Sequence, residues 1–413
     1  MILAVAYFVT GLLVAASAGL LAFWGAVHFQ IWRTSLRVPT ARRGISLARR
    51  EAGNDDSNLP SVCVVIPAHN EAKIIGELVA SLRLQDYPRL RFVFALDRCK
   101  DRTRGVIEEI AAGDSRFEII EITSCPEHWA GKVHALWTGV NSSQSARDAQ
   151  ILLFADADTT FSSSCIHATV ALMRERGLGL LSLLSTLSHD TWYERVVQPA
   201  AAFELVHQYP MVQANRDRPR RPFANGQFLM MTREAYWQIG GHEAVKEELL
   251  EDLAIARHAA EKNVRMGVFL ADGVMRCRMY PDWKAFRRGW KRIFTEGFQR
   301  RVSRLRKGAR LVRLTGSILP ILTMLLFIAW AIVTLPLERS IDIWPAYVAG
   351  SALVVWITAL LRVYHQGHSP LWAVVLNPIG AWVVADILME AARDLETGTP
   401  TVWGGKAYAR PVR

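Results

Sequence analysis

The sequence predicts an α/β domain built on a parallel sheet, with long hydrophobic helices near both ends of a 413-residue chain. Short runs rich in Val, Ile and Leu alternate with helical periodicity from Ser61 to about Met173, the signature of strands and helices laid down in turn. Long uncharged stretches lie outside that block. The composition agrees, since 51% of residues are hydrophobic and the mean hydropathy is +0.13, which directs attention to membrane spans.

Taking the chain in order, Ile2 to Phe29 carries no charged side chain and is long enough to cross a hydrocarbon core of ~30 Å as a helix. No basic residue precedes it and it is long for a cleaved leader, so residues 1–30 read as an anchor. Residues 31–60 form a basic linker that turns polar between Arg49 and Pro60. Ser61 to Pro67 is an almost unbroken apolar run, as suits a strand buried on both faces. Glu71 to Leu84 has helical spacing, Phe92 to Leu96 is strand-like, Arg104 to Ala112 helical, Phe117 to Ile122 strand-like and Lys132 to Val140 helical. Ile151 to Ala155 is a further strand, ending at Asp156-Ala157-Asp158. The stretch from Gly177 to Met279 mixes both patterns and is expected to complete the sheet, giving a globular unit over 61–298.

A basic segment, 299–313, follows. Leu314 to Leu337 and Ile343 to Leu361 then read as a membrane hairpin around Glu338, Arg339 and Asp342. Leu371 to Met389 holds Asn377-Pro378, Gly380 and Asp386, and suits a span, a re-entrant segment or an interfacial helix. Residues 314–391 therefore contain two or three such helices, before a tail over 392–413.

The formal charge of +11 does not point to nucleic acid. Six Arg and no acid lie between Ile31 and Arg50, and eleven Lys or Arg against Glu296 alone lie between Arg287 and Arg313, so these two patches carry +16 and the rest −5. Both flank apolar spans, where the positive-inside rule and anionic head groups place basic residues. The expectation is an integral membrane protein with its middle block in the cytoplasm and Met1 outside. Five cysteines without CxxC spacing fit a reducing compartment.

Ligands of such sheets gather at the carboxyl ends of the strands, and the polar residues of interest lie there. Pro67 to Glu71 follows the first strand, and Glu71 suits either hydrogen bonds to a nucleoside or a helix-terminal carboxylate. Asp97 closes the second strand and suits a base or ribose hydroxyl, or an ordinary turn. Gly131-Lys132 opens a helix and can face a diphosphate, although a solvated Lys fits the same pattern. Two carboxylates at Asp156 and Asp158 just past a buried strand are costly unless solvated or met by a divalent cation; a helix cap at Asp158 is the plain alternative. Glu247, Glu248, Glu251 and Asp252 cluster at the start of an apolar helix, where acids raise one another's pKa and one of them can take a proton from a hydroxyl. Asn225-Gly226-Gln227 and Gly240-Gly241-His242 read as loops, with His242 on the surface. Arg287 to Arg292 joins cations to Trp290, and suits diphosphate contact or an interfacial helix turning Trp283, Phe286, Trp290, Ile293 and Phe294 to lipid.

In this order, Val64-Val65-Ile66-Pro67-Ala68-His69-Asn70-Glu71, Asp97, Gly131-Lys132, Asp156-Ala157-Asp158, Ala224-Asn225-Gly226-Gln227-Phe228, Gly240-Gly241-His242 and Glu251-Asp252 resemble the family 2 glycosyltransferases with the GT-A fold, over roughly Val62 to Phe298. The resemblance implies an inverting, metal-dependent enzyme that uses Mg²⁺ or Mn²⁺ and a nucleotide-sugar donor, UDP-linked for preference. It implies that Pro67, Glu71 and Asp97 bind the nucleoside, that Lys132 and Asp156 lie near the diphosphate, that Asp158 holds the metal, and that Asp252 is the base. Asn225, Gly226, Glu251, Arg288 and Trp290 become acceptor or diphosphate contacts. The Gln-x-x-Arg-Trp motif of processive members is replaced by Phe286-Arg287-Arg288-Gly289-Trp290, which counts against long-chain polysaccharide synthesis. Arg276 to Tyr280 and the tail Thr401 to Tyr408 look like a subgroup that glycosylates lipids, including hopanoid-associated, carotenoid and ceramide-type enzymes. The expectation is a transferase acting on a lipid in the bacterial inner membrane; a polysaccharide synthase and an inactive nucleotide-sugar-binding protein are the alternatives.

Overall fold

The computed structural model describes residues 2–51, 58–217, 219, 221–334, 342–403, 406–408 and 412. The centre of the linker, Glu338 and Arg339 of the hairpin turn, and Gly404, Gly405, Arg410 and Arg413 of the tail lie outside them. Twelve strands are present among the described residues: β1 (Val62–Ala68), β2 (Leu90–Asp97), β3 (Phe117–Ile122), β4 (Ile151–Ala155), β5 (Thr159–Phe161), β6 (Leu180–Leu184), β7 (Thr186–Leu187), β8 (Phe228–Thr232), β9 (Met266–Leu270), β10 (Met275–Cys277), β11 (Thr401–Trp403) and β12 (Lys406–Tyr408). Seven form one sheet in the order β3-β2-β1-β4-β8-β6-β9, in which β3, β2, β1 and β4 run parallel and β8 runs against β4 and β6. The parallel sheet expected from the sequence is thus mixed, because β8 enters between β4 and β6. A small sheet, β5-β10-β7, sits beyond the carboxyl end of β4, and β11-β12 is a hairpin in the tail.

The helices of nine residues or more are α1 (Ile2–Arg37), α2 (Ala41–Glu51), α3 (Ile75–Arg83), α4 (Thr103–Ala111), α5 (Gly131–Ser142), α6 (Cys165–Glu175), α7 (Gln198–Gln208), α8 (Glu251–Glu261), α9 (Trp283–Gly297), α10 (Val302–Arg313), α11 (Leu319–Thr334), α12 (Trp344–Gln366) and α13 (Asn377–Thr397). Burial of β1 on both faces follows from the layers above and below: α3 and α4 pack with Val64 and Ile66 on one side, and α5 with Cys63 and Val65 on the other. The α/β expectation holds, with strand boundaries within two residues of those read from the sequence.

Four stretches are long and apolar enough to cross a membrane: Leu3–Arg37, Val302–Thr334, Trp344–Gln366 and Leu371–Thr397. The first three leave large apolar side chains bare, among them Phe8, Leu325, Ile332 and Val354, as a lipid-facing surface requires. The basic segment before the second is helical, and α10 runs through a π-helical turn at Leu314–Ile318 into α11.

The fourth also bares Leu371, Trp372, Val375, Ile379 and Trp382 in its first half, but more of it is buried. Ala381, Val384, Ala385, Leu388, Ala392 and Leu395 of α13 are buried against Phe286, Trp290, Phe294 and Leu305, so its apolar stripe serves a protein core. Its acids meet the cations of α9 and α10: Asp386 with Arg313 at 2.6 Å, Asp394 with Lys291 at 2.5 Å, Glu396 with Arg306 at 2.8 Å, and Glu390 with Arg287. The lipid-facing role expected for Phe286, Trp290 and Phe294 is overturned for the same reason, since all three are at most 2% exposed beneath α13 and its neighbours.

The spans are tied to the sheet at one rim. Thr40, just past α1, donates to Asp272 at 2.9 Å, and His368, just past α12, meets the other oxygen of Asp272 at 2.9 Å. Next to this junction α2 lies on α6 so closely that a Cβ on Gly44 would stand 2.0 Å from the carbonyl oxygen of Ala168. Gly44→Val should cost about 1–3 kcal/mol or more by overpacking and lower the melting temperature of the detergent-solubilised protein by several degrees. An unchanged melting curve would mean that α2 is not docked on α6.

Candidate active site

The carboxyl ends of β1, β2 and β4 open into one cavity of about 1170 Å³. Pro67 and Glu71 line it from β1 and the loop after it. The loop turns at Asn70, whose φ of 58° lies in the left-handed region and whose Oδ1 accepts from the Lys100 amide at 2.8 Å. Glu71 opens the turn that leads into α3, its carbonyl accepting from the Ile75 amide at 2.9 Å and its own amide donating to Thr103 Oγ1 at 2.8 Å. Burial, and then the charge of Asp156, raise its pKa. At the end of β2, Asp97 is buried and held bidentately by Arg98, whose Nε and Nη2 donate at 2.8 and 2.7 Å.

Lys132 is not a solvated lysine. In the first turn of α5, its ammonium stands 2.7 Å from Asp156 at the end of β4 and 2.6 Å from Glu251 at the start of α8. Burial works against this charge, but the two carboxylates outweigh it and hold the ammonium above its ordinary pKa. Glu251 in turn is lowered, its own burial being overcome by Lys132.

Asp252, beside it, faces a different balance. Burial first, and then the negative charge of Glu251, push it to about 6, while the Gly226 and Leu253 amides donate to its two oxygens at 2.7 Å each. Gly226 has no room for a side chain, since a Cβ would lie 3.0 Å from Glu251 Oε1 and 3.2 Å from Asp252 Oδ2. Asn225 is anchored by its side chain to the Leu183 carbonyl at 2.8 Å, which fixes that turn beneath the acids. Glu247 is exposed and Glu248 half-buried, and neither lines the cavity, so the expected cluster of four acids reduces to two.

Asp158 caps no helix. Its carbonyl accepts from the Arg278 amide at 3.0 Å where β5 meets β10, and Cys277 Sγ donates to its Oδ1 at 3.4 Å. Burial, followed by the charge of Asp156, raises Asp158 to about 7, the state of a carboxyl that a divalent cation would ionise. Among the described residues no three His, Cys, Asp or Glu side chains form a metal cluster on their own. The Asp156 and Asp158 carboxylates, both lining the cavity, are oxygen donors of the kind a divalent cation takes.

Arg288 and Trp290 also line the cavity, Arg288 exposed and Trp290 buried. Two contacts of residues inside the quoted motifs escaped the sequence reading. Cys277, within Arg276 to Tyr280, reaches Asp158 across 119 residues. His242 is fully buried rather than superficial: its Nδ1 pairs with Tyr236 Oη at 3.0 Å, and burial lowers it to about 3.

A doubly wound sheet in this strand order, with acids gathered at the carboxyl ends of β1, β2 and β4, is the GT-A fold. Residues 63–240 match the family model described as glycosyl transferase family 2, and the chain carries a domain of that family. A curated relative, 4,4'-diaponeurosporenoate glycosyltransferase of Staphylococcus aureus, is 26% identical over 246 residues, which span 58% of this chain and 62% of the relative, less than two thirds of its length. Among solved structures, the mannosyltransferase PcManGT from Pyrobaculum calidifontis in complex with GDP-Man and Mn²⁺ aligns with 89% of this chain and 99% of its own at 19% identity and a TM-score of 0.48. TarS of S. aureus in complex with UDP-GlcNAc aligns with 85% of this chain and 96% of its own at 13% identity and a TM-score of 0.40.

Replacing Lys132 by Met should leave Asp156 and Glu251 facing each other without a counter-charge and lower stability by about 3 kcal/mol. Because Lys132 depresses Glu251, its contribution is present above the ordinary glutamate range and is lost as pH falls through the depressed value. Melting of the variant should therefore fall furthest below wild type at neutral pH, and the gap should close only as the pH drops below the ordinary glutamate range. A gap that does not change with pH would refute the ion-pair account.

Proposed function

We propose that this enzyme is an inverting glycosyltransferase that moves a sugar from a nucleotide-sugar, a UDP-sugar for preference, to the hydroxyl of a membrane lipid. The observation that carries the lipid half is the lining of the cavity. Glu71, Asp97 and Asp156 share it with Val27 and Ile31 of α1, Phe203 and Val206 of α7, and Val363 of α12. Two of those helices are candidate membrane spans, so an acceptor with an apolar tail has a path from the bilayer to Asp252. Ala285, Arg288, Trp290 and Ile293 of α9 line the same cavity. The curated relative's name, a glycosyltransferase of a carotenoid acid, supports the same acceptor class.

In this reading Pro67, Glu71 and Asp97 receive the nucleoside, and Lys132 and Asp156 lie beside the diphosphate. Asp158 with Asp156 would hold Mg²⁺ or Mn²⁺, which when bound supplies positive charge to the leaving diphosphate. Asp252 takes the proton of the acceptor hydroxyl as the acceptor oxygen bonds to the anomeric carbon, and the carbon–oxygen bond to the diphosphate breaks with its electron pair on the leaving group. The Gly226 and Leu253 amides keep that carboxylate aimed while Glu251 raises its basicity. Arg288 and Trp290 border the acceptor.

Residues 61–298 are the catalytic unit in this proposal. With α13 packed on that unit, three crossings by α1, α10–α11 and α12 leave the catalytic block and the tail together on the cytoplasmic side, and keep the basic segments inside.

Asp252→Asn should cut transfer by about 10²–10⁴-fold while nucleotide binding persists. Asp158→Asn should abolish the response to added Mg²⁺ or Mn²⁺. Wild-type kcat/KM should fall about tenfold per pH unit below a pKa of about 6, because Asp252, facing Glu251 and Lys132, must be ionised to act. Assays with a panel of nucleotide sugars and a total lipid extract, read by mass spectrometry for a new glycolipid, check the reaction. Undiminished transfer in Asp252→Asn would remove it as the base, and a polymeric product would select the synthase alternative.

A further inference from the structure

The tail hairpin is a feature that the reaction above leaves unused. From the end of α13 the chain turns at Gly398, φ 68°, and forms β11 and β12, with Thr401 opposite Tyr408. Val402 and Tyr408 both line the cavity that holds Asp97, Arg98 and Cys125. Tyr408 packs against the apolar cluster containing Ala130 and Trp129, at the approach to α5. Arg98, held by its hydrogen bonds to Asp97, and Tyr408 line the same cavity.

The sheet order says which part of a donor this is. β2 lies on the far side of β1 from β4, so the end of β2 is the part of the crevice most remote from Asp156 and the metal. A nucleotide-sugar with its diphosphate at Lys132 and Asp156 extends its base towards Asp97, and Tyr408 and Val402 stand there.

We propose that the C-terminal hairpin is the outer wall of the nucleoside subsite and that the Tyr408 ring contacts the base of the donor. This rests on the donor reading above. It makes the tail part of the donor site, and α13 the strut that holds the tail there through its ion pairs with α9 and α10.

The full-length protein in detergent serves for the test, with UDP titrated by calorimetry, GDP replacing it in every arm if GDP binds more tightly. Tyr408→Ala should weaken UDP binding and raise the donor KM by about fivefold or more, the loss expected when one base loses its aromatic partner. Its kcat at saturating donor and its acceptor KM should stay within about twofold of wild type, and Tyr408→Phe, which keeps the ring, should bind UDP as wild type does. Wild-type binding by Tyr408→Ala, together with weakened binding by Asp97→Asn, would overturn the hairpin's role and leave the donor site intact. If neither substitution weakens binding, the donor reading itself falls. Should Tyr408→Ala fail to fold, photolabelling of the unaltered protein with 5-azido-UDP decides: modification within residues 401–408 supports the proposal, and modification near Asp97 alone overturns it.

Discussion

One ammonium organises the acidic floor of this site. Lys132 stands between Asp156 and Glu251, at 2.7 and 2.6 Å, and so joins the starts of α5 and α8 to the end of β4. Four carboxylates, Asp156, Asp158, Glu251 and Asp252, share the cavity with it. The cation touches two of them and acts more weakly, from further off, on Asp158 and Asp252. Glu251 stays ionised, and its charge then adds to burial in lifting Asp252; Asp156, equally close to Asp158, lifts that group in the same way. The placement of a single Lys therefore leaves Glu251 as the carboxylate held ionised, while burial raises the proton affinity of Asp156, Asp158 and Asp252. A general base needs such a raised affinity, and a carboxyl awaiting a divalent cation tolerates it.

The same cavity links two solvents. Its floor belongs to the α/β sheet, while α1 and α12 reach it from helices whose outer faces are bare Leu, Ile and Phe. Asp272 ties this arrangement together by receiving Thr40 and His368 from just past the C-terminal ends of both helices. Stacking of Trp24 on Phe203, with ring centres 5.6 Å apart, joins α1 to α7 at the same level. The spans thus act as walls of the site as well as anchors, which accounts for the fixed junction between them and the sheet.

Much of this was legible locally. A strand buried on both faces must be apolar throughout, so β1 and β4 announced themselves, and polar residues directly after them had to lie at the sheet's carboxyl edge. Glu71, Asp97, Lys132, Asp156 and Asp158 are all found there. What periodicity could not supply were contacts between distant segments. The partner of Lys132 on α8, the thiol that meets Asp158, and the burial of His242 against Tyr236 all arise from tertiary packing. The aromatic face of α9 was misread for the same reason: a hydrophobic stripe has one appearance whether it meets lipid or another helix.

Charge resolves that ambiguity for α13. Its mean hydropathy suits a span, yet Asp386, Glu390 and Asp394 recur every fourth residue along one side, and each ionised acid at mid-bilayer costs about 2.5–3.5 kcal/mol. Their partners Arg313, Arg287 and Lys291 belong to the basic segments that the positive-inside rule keeps in the cytoplasm. Partly exposed pairs such as these contribute little each to stability. Their effect is on location, since moving α13 into the membrane would strand acids in hydrocarbon and cations without partners at once. The apolar side of the helix loses nothing by remaining, because Phe286, Trp290 and Phe294 already cover it. The two basic patches that give the chain its positive charge therefore do more than face anionic lipid: part of one is consumed in holding the last helix, and with it the tail hairpin, against the catalytic block.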